Sequence, residues 1–168
     1  NQFAKENEST GANYDQQLNN TFGVYKSEGI DELVIDLRFN GGGRLSSLRN
    51  LVSMITGQYY DYTFIQTEYN SKLTNLWGTT LYKFVNSLED GTLINSLNLN
   101  RIYVLTSYGT ASASENLING LKPYINVIQI GEATHGKNET NLFIHANEQN
   151  VLNTMPNHKI GLYTVVGK

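Results

Sequence analysis

The chain has 168 residues, enough for one domain with its own hydrophobic core. Its 12 basic and 15 acidic residues give a formal net charge of −3, and no basic run of the kind that binds nucleic acid is present. It contains no cysteine, which excludes disulfides, thiol nucleophiles and thiolate metal sites, and no apolar run approaches the ~20 residues of a membrane span.

The first part of the chain is predicted to form a helix, a strand and a second helix. Apolar residues three or four positions apart predict an amphipathic helix that ends near Gly29. Residues 32–37 are a short apolar run that predicts a strand, and the turn Asn40-Gly41-Gly42-Gly43 ends it. Helical spacing resumes over about 45–55. Residues 59–69 are predicted as a strand, and the polar stretch 70–100 favours a helix around 81–88.

The remaining residues alternate between strands and a helix. Residues 101–106 are a buried-type strand, a helix runs from the serine-rich motif toward Tyr124, and residues 127–130 form the next strand. Residues 141–146 and 160–166 are predicted as two final strands. This order predicts an α/β fold in which repeated β-α-β units surround a mostly parallel sheet. We interpret residues 1–168 as a single domain that is part of a larger protein.

The run Thr110-Ala111-Ser112-Ala113-Ser114-Glu115 places a hydroxyl group at the start of a predicted helix. Free backbone N–H groups at that end favour developing negative charge, so a substrate carbonyl would meet Ser112 and the N–H of Ala113 together. A purely structural interpretation is also open, because Ser112 and Glu115 have the spacing of a helix capping box.

Two further segments complete a possible site. The glycine turn brings backbone N–H groups close to a ligand, although it is equally a tight turn from strand to helix. Lys137 follows Ser112 by one helix and one strand, so neighbouring parallel strands would bring both residues to one sheet edge. A neutral lysine can replace the histidine base of a serine nucleophile, whereas an ordinary loop lysine is solvated.

Together, these three segments resemble the C-terminal processing peptidases, or tail-specific proteases. That family shows D-L-R-x-N-x-G-G, then S/T-A-S-A-S-E, then G-E-x-T-x-G-K, and the matching blocks here lie within residues 33–137. The resemblance implies a Clp protease/crotonase-like fold, a polypeptide substrate cut near its C-terminal tail, and no cofactor. By the same resemblance, Ser112 is the nucleophile and Lys137 its general base. The implied oxyanion hole is formed by Gly43 and Ala113, with Gly42 and Glu115 as supporting residues.

Two departures from the family pattern are visible in the sequence. Many members carry a glutamine four residues after the lysine to orient it, where this chain has the shorter Asn141. No PDZ module, which commonly captures substrate C-termini in the family, is recognised within residues 1–168. The resemblance also implies a location outside the cytoplasm, in the periplasm or cell envelope. The oligomeric state is not predicted.

Other chemistries have less support. The three histidines form no zinc-binding motif. His135 is an alternative base for Ser112, and Asp36 and Arg38 are expected to form an ion pair or to hold the glycine turn. The main alternative function is a non-catalytic domain that binds extended peptides. A third is hydrolysis or acyl transfer on non-peptide esters.

Overall fold

The structure is a computed structural model that describes residues 2–7, 10–145 and 161–167. These residues form four helices and nine strands. The helices are α1 (Tyr14–Glu28), α2 (Leu45–Thr56), α3 (Ser71–Trp77) and α4 (Ala113–Leu121). The strands are β1 (Glu6–Asn7), β2 (Ala12–Asn13), β3 (Val34–Asp36), β4 (Thr63–Thr67), β5 (Thr80–Lys83), β6 (Arg101–Thr106), β7 (Asn126–Gly131), β8 (Thr140–His145) and β9 (Gly161–Gly167).

A three-stranded parallel sheet lies at the centre, in the order β3-β6-β7. In its register Val104 of β6 lies opposite Ile35 of β3 on one side and Gln129 of β7 on the other. Because all three strands run in the same direction, the loops that follow them leave from one edge. The predicted α/β fold with a mostly parallel central sheet is therefore confirmed. The other pairings described are two-stranded: β1 with β2, β4 with β5, and β8 with β9.

Local sequence signals explain where the long helices begin and end. The side chain of Asn13 accepts a hydrogen bond from the N–H of Gln16 at 3.0 Å and caps α1, which ends at Gly29 as predicted. In α2, Leu48, Val52 and Ile55 are fully buried in the core. Truncating one such leucine to alanine typically costs about 2–5 kcal/mol, so this face holds the helix in the core.

The chain divides into two compact units. The first comprises Asn1–Ile65 and Leu81–Lys137 and contains the parallel sheet with α1, α2 and α4. The second comprises Gln66–Thr80 and Asn138–Lys168. In the second unit β8 and β9 pair antiparallel, and the N–H of Asn70 donates to the carbonyl of Val166 at 2.9 Å.

The predicted helix around 81–88 is wrong. This stretch begins with the end of β5 and continues without helix, while the helix of the region is α3, ten residues earlier. Phe84 and Leu88 are both buried, so their spacing of four imitates a helical face. The side chain of Asn70 accepts from the N–H of Leu73 at 3.1 Å and starts α3. The predicted strand limits at 146 and 160 lie outside the described residues.

Candidate active site

The three sequence blocks meet at the carboxyl edge of the parallel sheet. β3 ends at Asp36, β6 at Thr106 and β7 at Gly131, and Thr106 lies opposite Gly131 in the register. The loops 37–44, 107–112 and 132–137 therefore leave neighbouring strands at the same edge. This is the position where ligands bind in open parallel α/β sheets.

Asn40 connects the glycine turn to the serine-rich motif. Its side-chain oxygen accepts from the N–H of Gly42 at 3.0 Å. Its main-chain carbonyl accepts from the N–H of Ala111 at 3.3 Å and from the hydroxyl of Ser114 at 2.9 Å. One residue thus fixes the turn and the start of α4 together, a role that the sequence did not reveal.

Thr110 is fully buried and joins all three loops. Its hydroxyl donates to the carbonyl of Leu37 at 2.7 Å and accepts from the N–H of Ser107 at 3.1 Å. Its carbonyl accepts from the N–H of His135 at 2.9 Å. Buried hydrogen bonds of Thr110 therefore hold the three loops together at the sheet edge.

Ser112 has an unusual backbone conformation for a residue with a side chain. Its φ is 56° and its ψ is −118°, immediately before α4 begins at Ala113. Backbone strain of this kind costs of order 1–3 kcal/mol and clusters at functional sites. Gly42 permits the arrangement, because a Cβ atom at Gly42 would lie 2.8 Å from the Cβ of Ser112 and 3.0 Å from the nitrogen of Ala113. The predicted support by Gly42 thus has a direct steric basis.

Glu115 links the Ser112 turn to the Lys137 loop. The predicted capping box is present, with Oε2 of Glu115 accepting from the backbone N–H of Ser112 at 2.8 Å. The same carboxylate accepts from the N–H of Gly136 at 2.6 Å and from the N–H of Lys137 at 2.9 Å. Glu115 is only 7% exposed, and these three donors compensate the burial of its charge. The structure thus brings together the main chains of Ser112 and Lys137, whose side chains are both half-buried.

The two residues predicted for the oxyanion hole, Ala113 and Gly43, have different surroundings. Ala113 is fully buried and is the first residue of α4, where backbone N–H groups lack helical partners. Gly43 has φ = 130°, and a Cβ atom there would overlap the main chain of Phe3. Phe3 donates its N–H to the carbonyl of Gly42 at 2.7 Å and accepts from the N–H of Arg44 at 2.9 Å. Sequence reasoning missed Phe3, whose contacts are made by main-chain atoms.

Asp36 and Arg38 form the expected ion pair at the end of β3. Nη2 of Arg38 lies 2.7 Å from Oδ2 of Asp36, and Nε lies 3.0 Å from Oδ1. These hydrogen bonds lower the pKa of Asp36 from 3.8 to about 2. Both side chains are exposed, so the pair contributes little to the free energy of unfolding.

The other predicted residues lie outside this network of hydrogen bonds or at its surface. The ring of His135, the alternative base, is exposed and contacts the ring of Tyr108 edge-on, with centroids 5.0 Å apart. Asn141 is half-buried in β8, opposite Val165 of β9, in the second unit. In the described part of the chain, no cluster of three or more histidine, aspartate or glutamate side chains is arranged to hold a metal ion. None of the described helices is long and apolar enough to span a membrane.

The chain belongs to peptidase family S41, whose sequence model matches residues 1–160. A putative S41 protease from Bacteroides fragilis has a similar structure, with a TM-score of 0.80 and 26% identity over 99% of this chain. The photosystem II D1 C-terminal processing protease has a TM-score of 0.58 and 26% identity over 85% of this chain. A lipoprotein from Streptococcus agalactiae shares the fold, with a TM-score of 0.57 and 18% identity over 91% of this chain. The matched part is 50% of the lipoprotein.

These comparisons concern only part of each relative. The chain spans 40% of the Bacteroides protein and 31% of the D1 processing protease. No curated protein matches the chain. The resemblance to the C-terminal processing peptidases is confirmed at the level of family and fold.

Proposed function

We propose that this chain is the core of a serine endopeptidase of the C-terminal processing, or tail-specific, type. The observation that carries the proposal is the buried carboxylate of Glu115, which binds the main chains of Ser112, Gly136 and Lys137 together. A carboxylate that only capped a helix would need the first of these bonds and not the other two. Membership of family S41 and the D1 processing protease among its structural relatives support the same activity.

In the proposed reaction Lys137, in its neutral form, accepts the proton of the Ser112 hydroxyl as the serine oxygen bonds to a peptide carbonyl carbon. The tetrahedral intermediate then collapses, the C–N bond breaks, and the leaving amine takes a proton from the lysine. Water attacks the resulting acyl-enzyme, again with Lys137 as the base. This releases the new carboxyl end and restores the serine. Every proton transfer is made by this one pair, and no cofactor is required.

The N–H groups of Gly43 and Ala113 are proposed to stabilise the negative oxygen of the intermediate. The start of α4 supplies the Ala113 donor and the favourable end of the helix dipole. Glu115 and Gly42 would hold the serine turn, as their contacts with Ser112 support. Asn141 is proposed to take the place of the family's glutamine in orienting the lysine. His135 is a weaker candidate for the base, because its ring stacks edge-on against Tyr108.

The test uses the full-length protein and an unfolded protein substrate, with products identified by mass spectrometry. We expect new peptide fragments with wild type and none with Ser112→Ala or Lys137→Ala. Matched controls are Ser27→Ala on the exposed end of α1 and Lys122→Ala after α4, both outside the site. Unchanged cleavage by Ser112→Ala would contradict the proposal. Cleavage sites that lie near the C-terminus of the substrate would support the tail-specific type.

The alternative is a domain that binds extended peptides without cutting them. One observation favours it: β7 is an outer strand of the described parallel sheet and is exposed along its second half, so a peptide strand has an edge to pair with. Equal peptide affinity in wild type and Ser112→Ala, without products, would support this function. A panel of esters separates peptidase action from hydrolysis or acyl transfer on esters.

The natural substrate is proposed to be a polypeptide outside the cytoplasm, in the periplasm or cell envelope. The lipoprotein of Streptococcus agalactiae that shares the fold gives some support to an envelope location. Fractionation of cells and immunoblotting would test this. Recovery of the protein only with cytoplasmic markers would contradict it.

A further inference from the structure

The peptide group between Gly42 and Gly43 is held from one side by Phe3. The N–H of Phe3 donates to the carbonyl of Gly42 at 2.7 Å, and the N–H of Arg44 donates to the carbonyl of Phe3 at 2.9 Å. Phe3 and Gly43 form a parallel β-bridge. The main chain of Phe3 therefore binds the residues on both sides of Gly43.

The carbonyl of Gly42 and the N–H of Gly43 belong to the same peptide group. No cis peptide occurs among the described residues, so this group is trans and planar, and its C=O and N–H point in opposite directions. A hydrogen bond that fixes the direction of the carbonyl also fixes the direction of the N–H. Phe3 thus sets where the Gly43 N–H points without touching it.

Such a restraint matters because two consecutive glycines have unusual freedom. Gly42 and Gly43 have φ values of 107° and 130°, which are accessible to glycine and strained for other residues. A Gly-Gly peptide can rotate about its flanking bonds at little steric cost, and rotation would change the direction of the Gly43 N–H. Another restraint within the turn is the bond from the N–H of Gly42 to the side chain of Asn40, which holds the preceding peptide group.

The segment that carries Phe3 is itself anchored. The carbonyl of Lys5 accepts from the N–H of Tyr14 at 2.7 Å at the start of α1, and the Lys5 ammonium lies 2.7 Å from Glu89. The ring of Phe3 is half-buried against the core. This short segment is tied to the start of α1 through Lys5, and it presents the Phe3 N–H to the glycine turn.

We infer that the main chain of Phe3 is a positioning element for the oxyanion hole, which keeps the Gly43 N–H directed toward the reacting carbonyl. This inference rests on the proposed function, because it assigns the Gly43 N–H to that hole. The side chain of Phe3 contributes packing only, and the backbone N–H carries the effect.

Two substitutions at one position separate these contributions. Phe3→Pro removes the N–H, whereas Phe3→Ala keeps it and removes the ring. Losing one oxyanion donor typically lowers kcat about 10²–10³-fold, so we expect Phe3→Pro to lower kcat by roughly 100-fold with KM changed less than about twofold. Phe3→Ala should keep kcat within about threefold of wild type. Gln2→Pro, at the exposed neighbouring position, controls for the insertion of a proline.

The outcomes distinguish this inference from the proposed function. Equal kcat in Phe3→Pro and Phe3→Ala, with wild type active and Ser112→Ala inactive, would overturn the inference alone. A rise in KM at unchanged kcat would also overturn it, because the restraint would then act on substrate binding. An inactive wild type, or an active Ser112→Ala, would reject the proposed function itself.

A second measurement does not depend on folding of the proline variant. Hydrogen exchange of the Phe3 amide in the wild-type protein reports its bond to Gly42 directly. We expect this amide to exchange at least ~100-fold more slowly than in an unfolded chain, as local opening with a free energy of several kcal/mol would require. Exchange at the unfolded rate would overturn the inference even if Phe3→Pro does not fold.

Discussion

The carboxylate of Glu115 and the main-chain N–H of Lys137 lie 2.9 Å apart, although 22 residues separate them in the chain. The same carboxylate also binds the N–H of Ser112. The start of α4 and the loop after β7 are therefore held at one fixed separation by a single buried side chain. This relationship makes Glu115 the residue whose replacement should do most to separate the two loops.

Glu115→Ala is expected to destabilise the fold strongly. It leaves three partly buried backbone N–H groups without their acceptor, and an unpaired group costs up to about 1–3 kcal/mol when it is shielded from water. We expect the free energy of unfolding to fall by about 3 kcal/mol or more, measured by urea denaturation. Glu115→Gln keeps one acceptor oxygen and should lie between Ala and wild type. Alanine at the exposed Glu139 serves as a control. An equally small effect of both alanine variants would show that Glu115 does not hold the two loops together.

Gly42→Ala should damage the site, whereas Gly41→Ala should not. A Cβ atom at Gly42 would lie 2.8 Å from the Cβ of Ser112, and its φ of 107° is strained for alanine, while at Gly41 nothing lies within 4 Å. We expect Gly42→Ala to lose about 1–3 kcal/mol of stability and most peptidase activity, with Gly41→Ala within about 0.5 kcal/mol of wild type. Thermal denaturation and peptide cleavage check both. Indistinguishable variants would show that the close approach to Ser112 is unimportant.

The contribution of Asp15 to the free energy of unfolding should decrease as pH rises from the acid range. Burial raises the pKa of its carboxyl above 3.8, partly opposed by hydrogen bonds from Ser47 and Asn50, while nearby Glu89 raises it further. The folded state therefore holds the proton more tightly than the unfolded state. The resulting stabilisation is complete below pH 3.8 and is lost as pH rises through the raised pKa.

Asp15→Asn removes this titration but keeps an acceptor oxygen for both hydrogen bonds. We expect its stability relative to wild type to increase between about pH 3 and pH 7. Urea denaturation across this range measures the difference. A constant difference between the two proteins over the whole range would contradict the expectation.

The pKa of Asp36 should depend on Arg38. The hydrogen bonds of the guanidinium, and to a lesser extent one from the backbone N–H of Arg38, lower this pKa to about 2. The small stabilisation by this exposed pair is complete above pH 3.8 and is lost as pH falls through about 2. Arg38→Ala should return the pKa of Asp36 toward 3.8. Carboxyl carbon shifts in an NMR titration measure it. A value that stays near 2 in the variant would rule out the guanidinium of Arg38 as the main cause, because the variant keeps the backbone N–H.

Sequence reasoning predicted the frame of the site because that frame follows from strand order. β6 was predicted with its observed limits, since Arg101–Thr106 is a short buried-type run next to a turn. Once β3, β6 and β7 are parallel neighbours, the glycine turn, the serine motif and the Lys137 loop must leave one edge. The spacing of Ser112 and Glu115 likewise predicted the capping box.

The remaining features come from tertiary contacts that have no pattern in the sequence. The positive φ of Ser112 depends on Gly42 lying against it, and serine alone gives no sign of that conformation. Phe3 contacts the turn through its main chain, so its side chain gives no signal in the sequence. The one indication is Gly43, because a residue with a Cβ atom there would overlap Phe3. The second and third bonds of Glu115 join distant segments, which local spacing does not encode.

Glu115 binds Lys137 through the backbone and leaves the lysine side chain out of the contact. Every amino acid except proline carries that N–H, so the loop would keep its course whichever side chain stood at position 137. The course of the loop and the proposed base are thus encoded separately. We therefore expect arginine, histidine or an unnatural amine analogue at position 137 to leave the course of the loop unchanged, so that such a substitution tests the proposed base without disturbing its scaffold.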